Sequence, residues 1–279
     1  MKSELPYEAV ETEHKESLGD YIKHHLQDSN EWNVFGYHIH LPTFEPITIL
    51  GIQFDFSITL HVLMMWFASL FLILIFTYSF RKGKKSTSAI GVVLESIFLF
   101  IRNEISEPNL GKEYGRKVAP FLATIFLFIL TCNLMGLIPL FGTATSNISV
   151  TASLAFITFV MVQGLGIRAR GFIGYFKSLV PHGIPWFLLP ILVPIEILSL
   201  FTKPFALAMR LFANMIAGHT VIFALLGLVI VLGSIFVSPV SIAFAVFINL
   251  LELLVALIQA YIFTMLTALF MGMAAVGEH

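Results

Sequence analysis

Arg210 is the only charged residue in the apolar run from Pro204 to Leu232, and none of the 69 residues after it is a lysine or arginine. A guanidinium keeps its proton at any working pH, so this is a permanent positive charge. Placing it at the centre of a bilayer costs at least about 2.5–3.5 kcal/mol on insertion scales. Two readings follow. The charge either meets an anionic group inside the membrane, or it snorkels from a helix end, since Lys203 lies only seven residues away. Helical phase puts Asn214 at i+4 and Ala217 and Gly218 at i+7 and i+8 on its face. That face is small and polar, suited to close approach by another helix. His219, nine residues on, falls about half a turn away and faces a different environment.

In the last apolar run, Val240 to Val276, Glu252 is the only charge, and Asn249, Glu252 and Gln259 form a polar stripe at offsets of three and seven. Asn249 and Gln259 could equally serve as hydrogen-bonding glue between helices. A carboxylate inside a membrane helix instead lines a water path or pairs with a charge. His219 and Glu252 are both titratable and sit on helices joined by a short turn, so together they could relay protons. Glu196, Ser199 and Lys203 make a second polar group at i, i+3 and i+7; an interfacial ion pair is the competing reading. His38 and His40 lack a third ligand and read as an exposed loop, as do His24 and His25. His61 reads as interfacial. A single cysteine, Cys132, excludes an internal disulfide framework and a cysteine-based metal cluster.

The elements that must hold these groups are membrane helices. Of 279 residues, 57% are hydrophobic and 12% charged, against about 25% charged in soluble domains. Mean hydropathy is +0.89. A net charge of −1 excludes a generally basic nucleic-acid binder. Ile58 to Phe80 is a first span, stopped by Arg81, Lys82, Lys84 and Lys85. Ile90 to Ile101 is apolar but short and flanked by charge, as in an interfacial amphipathic helix. Ala119–Phe141 and Ile148–Ile167 are two further spans around a turn at 142–147. Pro185, Pro190 and Pro194 interrupt Gly183–Phe201, which argues for a bent or partly inserted segment. As helices, Pro204–Leu232 and Val240–Val276 would measure about 43 and 55 Å, so they must tilt, kink or project beyond the bilayer.

The expectation is an all-α polytopic membrane protein with about five membrane-embedded helices. Residues 1–55 form a polar N-terminal segment, 56–85 the first transmembrane helix and its basic stop, 86–118 a cytoplasmic and interfacial segment, and 119–279 a channel-forming membrane domain. Segments 81–118 and 168–177 hold eleven of the sixteen basic residues, whereas the turns at 142–147 and 233–239 hold none. Positive-inside bias then puts the N-terminus outside and the C-terminus in the cytoplasm. No internal repeat is visible, which counts against the inverted-repeat architecture of many transporters. No phosphate-cradling P-loop appears either, so nucleotide chemistry is not expected on this chain. A stand-alone secondary transporter or proton channel is the alternative reading, and a structural membrane scaffold a third.

Three motifs carry a resemblance. Lys203-Pro-Phe-Ala-Leu-Ala-Met-Arg-Leu-Phe-Ala-Asn-Met-Ile-Ala-Gly-His219 closely resembles the arginine-bearing helix of the a subunit of F-type ATP synthase. Asn133-Leu-Met-Gly-Leu-Ile-Pro139 and Leu257-Ile-Gln-Ala-Tyr-Ile-Phe263 resemble two more of that family's motifs, in the same order. The resemblance, over about residues 56–276, implies a non-catalytic, proton-translocating stator subunit without a cofactor or metal, in a bacterial inner membrane. It implies two long tilted helices facing a ring of c subunits, with the b-subunit peripheral stalk and the rest of the synthase as partners. It implies that Arg210 separates two aqueous half-channels and meets a ring carboxylate. By the same resemblance Asn214, His219, Glu252 and Gln259 belong to the outer half-channel, and Glu196, Ser199 and Lys203 to the inner one. Relative to many bacterial members His219 and Glu252 look exchanged, and Ala206 stands where some relatives have a small hydroxyl residue.

Overall fold

The computed structural model describes residues 31–34, 37–44, 47–49, 52–54, 57–80, 88–138, 141–178, 185–232 and 238–276. The first 30 residues, the basic flank at Arg81 to Lys85, Pro139 and residues 233–237 lie outside them. Ahead of the first helix, two short antiparallel hairpins form: β1 (Glu31–Val34) with β2 (Tyr37–His40), and β3 (Ile47–Ile49) with β4 (Ile52–Phe54). Runs such as Ile47-Thr-Ile49 are rich in β-branched residues, which favour extended backbone. These strands are an addition to the helical expectation. Trp32 of β1 lies against Phe67 of α1 (Leu60–Ser79), ring centroids 6.1 Å apart.

Among the described residues, five helical stretches are long and apolar enough to cross a membrane: Leu60–Ser79, Ala89–Gly136, Ile148–Arg170, Leu189–Leu225 and Pro239–Ala275. The second is a folded-back pair. α2 (Ala89–Phe100) runs through a π turn, Ile101–Ser106, into α3 (Glu107–Gly136). At Gly111 the backbone takes φ 73°, ψ 169°, a region essentially restricted to glycine. A Cβ added to Gly115 would lie 2.8 Å from Glu107 Cα. A straight helix would separate these residues by about 12 Å, so the chain reverses at Gly111. Ser106 Oγ donates to Gly115 O at 2.7 Å and Arg116 Nε to Glu107 Oε1 at 3.1 Å, pinning the reversal. The outward side of α2 carries Ile90, Val92, Val93 and Phe100, all exposed and apolar, while Leu94 turns inward.

A turn containing a short 3-10 segment, Ala144–Ser146, leads to α4 (Ile148–Arg170) and the short α5 (Phe172–Ser178). Then come α6 (Leu189–Leu232) and α7 (Ser238–Ala275). Here the structure departs from the sequence reading: from Leu189 on, the proline-interrupted segment and the arginine-bearing run are one 44-residue helix. The physical reason is position. Pro190 stands in the first turn, where the missing N–H has no intrahelical partner anyway. Pro194 and Pro204 each delete only one internal hydrogen bond, and membrane helices tolerate such breaks. At 1.5 Å per residue α6 is about 66 Å long, half as long again as the run from Pro204 alone.

α7 packs against α3, α4 and α6. Its inward face carries Ala245, Ala256, Ala260 and Ala268, all buried, and Gly272. Small residues let helix backbones approach closely, which drives association where lipid removes the hydrophobic advantage. The core joins Leu122 and Ile129 of α3, Leu207 and Leu211 of α6, and Phe263 and Met271 of α7, each at most 2% exposed.

Candidate functional site

The two long helices run antiparallel, and this register determines which polar groups meet. Asn214 Nδ2 donates to Gln259 Oε1 at 2.8 Å. Five residues further along α6, the His219 imidazole Nδ1 is in contact with Glu252 Oε1. His219 is 9% exposed and Glu252 4%. Room for the carboxylate comes from Gly218, where an added Cβ would lie 2.8 Å from Glu252 Oε1. The far ring nitrogen, Nε2, lies 3.0 Å from Gly136 O and also contacts Thr143 Oγ1.

The imidazole thus spans two junctions, with Nε2 toward Gly136 O and Thr143 Oγ1 and Nδ1 toward Glu252 Oε1. Glu252 Oε2 is buried and has no hydrogen-bond donor among the described residues. An unsatisfied buried acceptor costs about 1–3 kcal/mol.

Arg210 sits one turn from Asn214 on the same exposed face of α6. Ala206, Ala213 and Ala217 around it are exposed too, whereas Leu207, Leu211 and Met215 on the adjoining face are buried. Among the described residues it makes no ion pair. The guanidinium thus points away from its own helix bundle, across a surface of small side chains. Asn249 is also exposed, so only Glu252 and Gln259 of the expected stripe are turned inward.

Glu196, Ser199 and Lys203 occupy successive turns of the other half of α6, all half-buried. Lys203 Nζ lies 5.6 Å from the centroid of the Phe270 ring, a cation–π contact. Beside this group Tyr175 of α5 is 2% exposed, and its hydroxyl donates to Gln163 Oε1 at 2.5 Å. Burial pushes the Tyr175 hydroxyl above its usual range; the Gln163 bond and the Arg170 charge oppose this, and the Glu196 charge reinforces it. Arg170 donates from Nε to Ala275 O and from Nη2 to Met273 O, both at 3.4 Å, capping the end of α7.

The family model described as ATP synthase A chain matches residues 62–272. The chain belongs to the ATP synthase subunit a family. ATP synthase subunit a of Myxococcus xanthus is 52% identical over 229 residues, covering 81% of this chain and 75% of that protein. That of Chloroherpeton thalassium is 48% identical over 264 residues, covering 91% and 76%. ATP synthase subunit a 2 of Chlorobaculum tepidum is 47% identical over 268 residues, covering 93% and 74%. As a subunit a, the chain is a multi-pass bacterial membrane protein of the F-type ATP synthase membrane sector.

In this subunit a, the sequence reading missed three groups around the candidate residues. Thr143 lies in a loop read only as a turn, although its run of hydroxyls, Thr143-Ala-Thr-Ser146, was a signal for buried polar bonding. Tyr175 had no periodic pattern to mark it. His61, read as interfacial, is 3% exposed and lies 3.2 Å from Asn147 Nδ2 through its Nδ1. The hairpin strand β2 leaves His40 exposed.

Proposed function

We propose that this subunit a carries protons to and from a carboxylate on a rotating ring of c subunits through two separate aqueous half-channels. The outer path uses His219 and Glu252 as the proton-accepting pair, with Asn214 and Gln259 next along it. The inner path runs past Glu196, Ser199 and Lys203. Arg210 stands between them as a fixed charge that favours an ionised ring carboxylate and blocks direct passage. The observation that carries this reading is the placement of Arg210: a permanent charge in an apolar helix, turned outward on a surface of alanines, without an acidic partner among the described residues. A charge so placed calls for an anion on a neighbouring subunit. Each proton that crosses a 100 mV potential releases about 2.3 kcal/mol, which the ring would deliver to nucleotide chemistry elsewhere in the complex.

In this proposal the rotating c ring faces α6 and α7, and the b-subunit peripheral stalk belongs with this chain to the stator. The N-terminus is external, the C-terminus cytoplasmic, and 119–279 is the channel-forming region. The continuity of α6 supports the parity, because the stretch from Leu189 to Phe201 then adds no crossing of its own. The test is passive conductance. In vesicles stripped of the catalytic head, Arg210→Ala should collapse an imposed pH gradient faster than the parent, because a protonated ring site can pass between the half-channels. Leakage no greater than the parent's would remove the barrier role.

A further inference from the structure

We propose that His61 of α1 is a positioning residue for the outer proton pair, acting through Asn147 and the loop that bears Thr143. This rests on the outer-path reading above. The first turn of α1 grips both ends of the loop between α3 and α4. At one end, Leu60 Cδ2 and His61 Cδ2 lie 2.9 and 3.6 Å from where a Cβ on Gly142 would stand. At the other, His61 Nδ1 meets Asn147 Nδ2 at 3.2 Å.

The orientation of that amide is fixed by backbone chemistry. Asn147 caps the N-terminus of α4, and its Oδ1 accepts from Ser149 N–H at 2.9 Å. A backbone N–H needs an oxygen, so the NH2 side must face His61. His61 Nδ1 is therefore an acceptor, and the ring hydrogen sits on Nε2. Between these two anchors the loop is tied down residue by residue. Ser146 Oγ donates to Thr143 O at 2.8 Å, and Thr145 Oγ1 donates to Asn133 Oδ1 at 2.7 Å. Asn133 Nδ2 in turn donates to Ala256 O of α7 at 3.4 Å. Thr143 is thereby held with its hydroxyl on His219 Nε2, opposite the nitrogen that faces Glu252. α1 touches neither His219 nor Glu252 in any of these bonds; it fixes the loop that fixes the imidazole.

The experiment uses the whole synthase in vesicles, with ATP synthesis driven by an imposed proton gradient and normalised to assembled complex. His61→Asn keeps an acceptor where Nδ1 stood but loses the ring's bulk; His61→Phe keeps bulk and loses the acceptor. Asn147→Ser keeps a capping oxygen for Ser149 and loses the arm to His61. The expectation is that His61→Asn retains most of the parental rate. His61→Phe and Asn147→Ser should each fall by about fivefold, the factor for one net hydrogen bond. His61→Phe combined with Thr143→Val should be no slower than Thr143→Val alone, because both act through one contact. If His61→Phe does not assemble, Asn147→Ser carries the test. A parental rate in both acceptor- and donor-loss variants, or an equal fall in His61→Asn, would overturn the proposal. Glu252→Gln is run alongside. Unimpaired synthesis there would defeat the outer-path reading itself, whereas loss there with unimpaired His61→Phe would defeat only the role of α1.

Discussion

If His219 and Glu252 act as the proposed proton-accepting pair, their roles should be exchangeable while neither should be replaceable alone. His219→Glu leaves two carboxyls at the junction and Glu252→His leaves two imidazoles; both remove the pairing of unlike groups. The double exchange restores one of each. ATP-driven acidification of inverted vesicles should therefore recover in the double variant to well above either single one, and Glu252→Leu should impair it. A double variant as slow as the worse single would show that Gly136 and Thr143 demand an imidazole on α6. Gly218 gives a second residue-level prediction. Its substitution by alanine puts a methyl 2.8 Å from Glu252 Oε1, and overpacking of this kind costs about 1–3 kcal/mol. Gly218→Ala should slow proton uptake while Gly164→Ala, where nothing lies within 4 Å, should not. The His219–Glu252 contact was legible in the sequence as two titratable groups flanking a short turn. Thr143 was not, because a hydroxyl in a turn carries no periodicity that separates a buried partner from a solvated one.

Among the elements, the reversal at Gly111 is one that a single side chain can break. With φ 73° and ψ 169°, any other residue is strained by about 1–3 kcal/mol, although an added Cβ meets nothing within 4 Å. Gly111→Ala should thus lower the amount of folded subunit in the membrane, measured by protease resistance, without altering the rate per assembled complex. A rate change at full assembly would mean that the reversal serves more than folding. Hydropathy located the apolar runs, because lipid exposure and helix burial both demand apolar residues. It could not reveal the fold-back, which depends on one backbone angle, nor the unbroken α6. Prolines read as interruptions when counted locally, yet a long helix held by α4 and α7 along its length tolerates the loss of two internal bonds.

For the whole molecule, the decisive features are which surfaces face water and which face a partner. Ser199 lies half-buried on the inner stretch of α6, so a cysteine there, in a Cys132→Ser background, should react with a membrane-impermeant thiol reagent from the cytoplasmic side. Labelling only from outside would reverse the proposed orientation. The centre of the account is Arg210, which faces outward and makes no ion pair among the described residues. Snorkelling would be satisfied by any long cationic side chain, whereas meeting a ring carboxylate needs the planar, permanently charged guanidinium; lysine is compact and loses its proton when desolvated. The most direct measurement is coupled ATP synthesis by the whole complex carrying Arg210→Lys, with assembly verified. The predicted result is an assembled enzyme that neither synthesises ATP nor pumps protons; normal coupled synthesis would contradict it.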